Sequence, residues 1–254
     1  MSLRFDILTL FPALVDGILG ESIIGRARQA GYLDVRTHNI RDFAGNKHNR
    51  VDDTPYGGGF GMLMMAPPVY DCYRHAMDLC DEAGVGKKRR VIYLSPAGSV
   101  LTQKKAYELA QYDQLTLLCG HYEGIDARVI DEIVDEEISI GDYVLTGGEL
   151  PACILVDCVG RLVDGVLADR ACHEEESISS GLLEYPQYTR PYEFHGVKVP
   201  DVLISGDHAK VDQWRRETAL ERTRRRRPDL LSGGEGPTPL YPTRDAGKDP
   251  AETE

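Results

Sequence analysis

Three short stretches hold the residues best placed to do chemistry. The first is Ile140-Gly141-Asp142-Tyr143-Val144-Leu145-Thr146-Gly147-Gly148-Glu149-Leu150-Pro151. It leaves a run of strand character at Ile138 and Ile140. It passes the short apolar run Tyr143-Val144-Leu145, turns at Thr146-Gly147-Gly148, and enters an apolar, helix-like segment over 150–163. Pro151 stands where a first helical turn tolerates it. Adjacent glycines let backbone approach a ligand closely or take positive φ. An ordinary tight turn between a strand and a helix would use them too. The second stretch, Tyr93-Leu94-Ser95-Pro96, closes the apolar run over 91–94. The third, Gly120-His121-Tyr122-Glu123-Gly124, closes the run over 115–119. In an open α/β sheet the ligand crevice lies at the carboxyl ends of the strands, so three such loops can frame one pocket. None of them carries a phosphate-binding glycine pattern, and the ligand need not be a phosphate.

Other chemistries find no support. Gly86-Lys87 resembles the end of a Walker A motif, but Asp81 stands where a glycine is required and Lys88 where Ser or Thr is required. The glycine-rich stretch 57–61 lacks G-x-G-x-x-G, because Met62 and Met64 stand where the last glycine would fall. There is no G-x-S-x-G elbow. Cys72, Cys80, Cys119, Cys153, Cys158 and Cys172 form no C-x-x-C pair. They read as buried free thiols in a reducing compartment. The 7 histidines show no H-x-x-x-H spacing, so no metal site of zinc type is expected.

The chain of 254 residues has room for one large domain, or for a medium and a small one. With 42% hydrophobic residues it can build a core. It shows no apolar run of transmembrane length and no secretory signal over 1–10, so a soluble cytoplasmic protein is expected, with no membrane partner. A net charge of −12 argues against nonspecific nucleic-acid binding over the whole surface, but leaves room for a local basic site. One candidate is the segment 207–227, with Lys210, Arg215, Arg216, Arg222 and the run Arg224 to Arg227 among Asp207, Asp212, Glu217 and Glu221, and Asp229 just beyond. It fits a solvated helix laced with ion pairs, Glu221 four residues before Arg225 being one. It equally fits a helix that contacts phosphates.

The elements that must position these residues alternate. Residues 4–10 read as a strand ended by Pro12, 22–30 as a helix stopped by Gly31, and 32–40 as a strand. A polar, Gly-rich loop fills 41–65, and a loop of that length is usually functional or mobile. Its Phe43, Tyr56 and Phe60 are expected to be covered. Helices follow at 67–83, from an N-cap at Thr102 to about 111, and around 125–134, with strands at 91–94 and 115–119 between them. Alternating strands and helices predict a parallel α/β sheet. Residues 1–168 form the first domain, the polar stretch 169–180 a linker, 181–231 a helical domain without strands, and 232–254 a disordered tail. No internal repeat is visible.

Together these motifs resemble the bacterial tRNA (guanine-N1-)-methyltransferases. The matching stretches are FDILTLFP, RDF, KH, VDD-x-PYGGG-x-GMLMM, YLSP, GHYEG, IGDYVLTGGELP, GLLEYPQYTRP, VP-x-VL-x-SG-x-H and RRPDL. They run in order over nearly the whole chain up to Leu231. The resemblance implies the SPOUT class, in which the α/β domain closes a deep trefoil knot despite the general rarity of knots. It implies methyl transfer from S-adenosyl-L-methionine to N1 of the guanosine immediately 3′ of the tRNA anticodon. Mg2+ is carried as a second candidate cofactor. It also implies a homodimer with its active site at the subunit interface, and a helical domain that grips tRNA, here through Arg215, Arg222 and Arg226.

The donor pocket that the resemblance implies is Leu94, Ser95, Pro96, Gly120, Tyr122 and Ile140, Gly141, Asp142, Tyr143, Val144, Leu145, with Gly147 and Gly148. Glu123 and Glu184 match acids near the donor's charged end. Arg161 and Glu176 match the substrate-side arginine and carboxylate. Two departures stand out. His121 replaces the arginine of the usual G-R-Y-E-G, and Glu176 precedes Ser177 where aspartate is common. Two other classes stay open: a binding module without chemistry, and a SPOUT enzyme acting on ribosomal RNA or a ribose hydroxyl.

Overall fold

A computed structural model describes residues 2–167, 177–178 and 181–232. The chain divides into two compact units, Met1–Ala168 and Asp169–Glu254. The linker at 169–180 lies outside the described residues except for Ser177 and Ile178, and so does the tail from 233.

The first unit begins with β1 (Leu3–Thr9), α1 (Pro12–Leu19), α2 (Ser22–Gln29) and β2 (Leu33–Asn39). The short strands β3 (Asp52–Asp53) and β4 (Leu63–Met64) follow, then α3 (Ala66–Glu82) and β5 (Arg89–Val100). It ends with α4 (Gln103–Leu109), β6 (Gln114–Cys119), α5 (Ala127–Ile133), β7 (Glu136–Ser139) and α6 (Glu149–Gly160). Five strands make one parallel sheet in the order β2-β1-β6-β5-β7. That agrees with the alternation in the sequence. A parallel sheet must be covered on both faces, and β1 and β6 at its centre are buried at every residue. Leu3, Phe5, Ile7, Leu115 and Leu117 face one apolar cluster with Val156 and Val159 of α6. Leu8 and Leu118 face the other, with Val69 and Ala76 of α3. The two sets alternate along each strand, as the pleat requires.

The second face holds a polar knot of side chains at its far end. Asp6 accepts from both Nε and Nη2 of Arg4 at 2.8 Å, and from Gln114 Nε2 at 2.9 Å. His38 Nε2 lies 2.8 Å from its other oxygen. Burial alone would raise the Asp6 carboxyl, but the hydrogen bonds from His38 and Arg4 and the Arg4 charge outweigh it and hold it well below the usual range. A depressed folded value means that this contribution is present above the unfolded carboxylate range and is lost as pH falls below it. Asp6→Ala leaves the buried Arg4 unpaired, so it should cost about 3–5 kcal/mol in urea unfolding at neutral pH. The gap to the parent should narrow as pH falls below about 4. A loss under 1 kcal/mol would show that water reaches Arg4.

The structure departs from sequence expectation at three places in this unit. Pro12 does more than end β1: it is the first residue of α1. Strand β5 does not stop at Leu94. Leu94 and Ser99 both pair with Ile138, so residues 95–98 loop out of a strand that continues to Val100. In the loop 41–65, Val51 and Met64 are buried and Phe43 packs on the core, but Tyr56 and Phe60 are 99% and 97% exposed. The expectation that those two would be covered is not met.

The second unit contains the hairpin β8 (Glu193–Phe194) and β9 (Val197–Lys198), then α7 (His208–Arg226) and α8 (Asp229–Ser232). The sequence reading expected no strands here. His195 and Gly196 both take positive φ, 48° and 78°, the geometry of a tight two-residue hairpin turn. Helix α7 starts where expected, with Asp207 accepting from the Lys210 N–H at 3.2 Å. Thr223, fully buried on α7, accepts from Leu183 N–H at 2.9 Å and so ties the incoming segment to the helix.

Candidate active site

The site sits at the carboxyl ends of β5, β6 and β7, which the register brings side by side: Leu94 pairs with both Cys119 and Ile138. The chain leaving β7 folds back on the loop after β6. The Gly148 N–H donates to the Gly120 carbonyl at 3.0 Å, and His121 bridges Gly147. There α6 begins and carries the chain away against α1 and α4. The turn out of β7 closes on itself: Ser139 Oγ accepts from the Gly141 N–H and donates to its carbonyl, both at 3.1 Å. Gly141 has φ +141°, which an L side chain rarely adopts, and the Tyr143 ring fills the place its side chain would take.

These loops enclose a cleft of about 250 Å³ lined by residues 93–96, 120–124, 138–141, 143–148 and Pro151. Five of the lining residues are glycines. Tyr122, Tyr143, Val144 and Leu145 present apolar surface at the rim. The β3–β4 hairpin braces one side: Glu123 N–H donates to the Met62 carbonyl and Met64 N–H to the Gly124 carbonyl, both at 3.0 Å. Beneath lies a buried carboxylate. Glu149 accepts from Thr9 Oγ1 at 2.6 Å and lies 2.7 Å from His121 Nε2. Cys119 is no nucleophile, because burial first, then the nearby Glu149 and Cys153, push its thiol well above the ordinary range. Burial likewise raises Cys153 to about 11. Among the described residues no three His, Cys, Asp or Glu side chains converge as a metal site. No described helix is long and apolar enough to cross a membrane.

The residues picked out from sequence divide into groups. Leu94, Ser95, Pro96, Gly120, Tyr122, Glu123, Ile140, Gly141, Tyr143, Val144, Leu145, Gly147 and Gly148 line this one cleft. Asp142 is exposed on the same loop and does not line it. Arg161 caps the far end of the 12-residue α6, roughly 18 Å along the axis from the end at the cleft. Glu184 belongs to the second unit, and Glu176 lies outside the described residues. On α7, Arg215 pairs with Asp212 at 3.2 Å, and Arg222 donates to the Glu184 carbonyl at 3.2 Å. Arg226 is exposed and shares a groove with Pro186, Thr218, Glu221, Arg222 and Arg225. The expected Glu221–Arg225 pair is not among the ion pairs of the described residues. Asp207–Lys210, Asp212–Arg215 and Arg227–Asp229 are formed instead.

Residues 3–233 match the family model of tRNA (Guanine-1)-methyltransferase TrmD. The chain belongs to that family. It is 56% identical over 230 residues to the tRNA (guanine-N(1)-)-methyltransferase of Ruminiclostridium cellulolyticum, covering 91% of this chain and 97% of the relative. It is 54% identical to the enzyme of the same name from Alkaliphilus metalliredigens, over 91% of this chain and 92% of the relative. To that of Geobacter sulfurreducens it is 53% identical, over 92% and 93%. Family membership makes the chain a methyltransferase. In its cleft, Gly147 and Gly148 stand where a side chain would collide with the loop after β6. Sequence reasoning missed the Thr9–Glu149–His121 arrangement. These residues are far apart in the chain, and only the crossing of two loops brings them together.

Proposed function

We propose that this chain transfers the methyl group of S-adenosyl-L-methionine to N1 of the guanosine immediately 3′ of the tRNA anticodon. The observation that carries it is the convergence of three loops on one glycine-rich cleft, in a chain that matches the family from residue 3 to 233. The cleft fits the donor. Apolar rim residues suit a heteroaromatic face, and backbone groups over 140–148 suit its polar edge. When bound, the donor supplies a methyl group on a sulfonium, whose leaving group departs neutral.

The protein's own work is then with the acceptor. N1 of guanine bears a proton and is a poor nucleophile at neutral pH. A base must take that proton, a cation must stabilise charge appearing on O6, and N1 must be held in line. Glu176 is proposed as the base and Arg161 as the cation. The target base must also leave the stack of the anticodon loop to be reached.

Arg161 lies at the far end of α6, so a second copy is the natural source of it for this cleft. An exposed apolar face supports that. Phe11 at the N-cap of α1 with Leu14 and Ile18 on it form one stripe, and Leu150 and Ile154 of the adjoining α6 form another, each 43–47% exposed. The close crossing of Gly148 over Cys119 and Gly120 is consistent with a threaded, knotted arrangement of this region. Glu184, Arg215, Arg222 and Arg226 belong to the second unit, and the three arginines are proposed to face tRNA. A tRNA substrate places the work in the cytoplasm.

The test is a methyl-transfer assay on unmodified tRNA and, in parallel, on ribosomal RNA, with mapping of the methylated nucleotide and with Mg2+ added or chelated. N1-methylguanosine at the single site 3′ of the anticodon is expected. Labelled ribose or ribosomal RNA would move the chain to another SPOUT activity, and no transfer would leave a binding module. In the binding arm, affinity for tRNA should fall as salt rises. Because Arg222 is occupied with Glu184, charge reversal at Arg225 and Arg226 is the cleaner way to flatten that slope.

A further inference from the structure

Glu149, the first residue of α6, is 2% exposed. Its two carboxylate oxygens have different partners. One accepts from Thr9 Oγ1 at 2.6 Å, and Thr9 Oγ1 in turn accepts from the Phe11 N–H at 2.9 Å. The other lies 2.7 Å from Nε2 of His121. The end of β1, the loop after β6 and the start of α6 therefore meet at one carboxylate. A carboxylate this buried is costly unless its oxygens are answered by donors. With Glu149 ionised, Nε2 of His121 is the nitrogen that carries a proton.

The imidazole also shapes the cleft directly. A side chain at Gly147 would collide with it, and it packs at 5.0 Å against the Phe11 ring. His121 and Gly147 both line the cleft. We infer that His121 is a positioning residue for the methyl donor. Its bond to Glu149 fixes how the 120–121 and 147–148 segments cross, and so fixes the backbone that the cleft presents. It takes no part in moving the methyl group or the N1 proton. The inference rests on the donor-cleft assignment above.

The test measures S-adenosyl-L-methionine binding to the full chain by titration calorimetry, with circular dichroism as a check on folding. His121→Ala is expected to weaken donor binding about tenfold or more, the scale of a lost hydrogen bond to a charged group. His121→Gln places an N–H close to where Nε2 stands and should bind within about threefold of the parent. His121→Asn is too short to reach Glu149 and should lose about as much as alanine. If alanine does not fold, the Gln and Asn pair decides: equal affinities overturn the inference. The double variant His121→Ala/Glu149→Ala should lose no more donor affinity than the worse single, because both act through one contact; simple multiplication of the two losses would overturn it. A parent that binds donor, with His121→Ala within about twofold of it, overturns the inference alone. A parent that binds no donor overturns the cleft assignment and this inference together.

Discussion

Replacing Gly148 with valine is expected to remove measurable donor binding, a loss of about a hundredfold or more, in a protein that still folds. The reason is not backbone conformation, since Gly148 has φ −83°, which any residue adopts. It is space. A Cβ at 148 would stand 2.7 Å from the Cα of Cys119 and 3.1 Å from the Gly120 nitrogen. Those are backbone atoms of the opposite cleft wall, and they cannot swing aside as a side chain does. The Gly148–Gly120 hydrogen bond must lengthen or break, and a displacement near 1 Å at a binding wall is enough to cost two orders of magnitude. Overpacking should also lower stability by about 1–3 kcal/mol. Gly141 gives a useful contrast. Its φ of +141° makes any substitution strained, but the atoms in the way belong to the exposed Tyr143 ring, which can move. Gly141→Ala should therefore weaken binding less than Gly148→Val. Donor affinity in Gly148→Val close to the parent value by titration calorimetry would mean that the crossing does not form the donor wall.

What the sequence made legible follows from which signals are local. The alternation of apolar runs and polar helices is local, and it led to the parallel sheet. The basic segment 207–227 is local too, and α7, His208–Arg226, fills it to within a residue at each end. Strand ends rich in small residues pointed to 94–96, 120–124 and 140–148 because sheet topology, whatever the strand order, gathers such ends on one edge. Other features depend on partners distant in sequence. Strand β5 runs on past Pro96 because β7 supplies pairing for Ser99 and Val100. Arg4 and Asp6 sit buried inside β1: Asp6 answers Arg4, and His38 and Gln114 answer Asp6 from the neighbouring strands. The hairpin at His195-Gly196 could have been found, since two residues tolerant of positive φ between short β-prone runs form a known turn signal. His121 carried a signal only as a departure from the family loop. Its partner, Glu149, is visible only once the loops cross.

Glu176→Gln should lower the single-turnover rate of tRNA methylation by roughly two to four orders of magnitude, the usual scale of general-base catalysis. Glutamine keeps the size of the side chain and can hydrogen-bond, but it cannot take the N1 proton. Donor and tRNA affinities should change little. Glu176 itself lies outside the described residues, but its neighbours limit what it can do. Ser177 Oγ accepts from the Glu184 N–H at 3.0 Å, and the Ile178 N–H donates to the Leu182 carbonyl at 2.9 Å. The chain just after Glu176 is thus fastened to the segment that also engages Arg222 of α7. If α7 holds tRNA as proposed, the substrate shares that anchorage with the segment that follows the proposed base. A carboxylate brought in by its substrate avoids standing buried and unpaired between turnovers. Glu176→Asp should retain much of the activity, because the acid group is kept and only one methylene is lost. Arg161→Ala should also slow the step at saturating donor, by loss of charge stabilisation at O6. If Glu176→Gln methylates at close to the parent rate, the proton goes elsewhere, and Glu175 and Asp169 are the next carboxylates to replace.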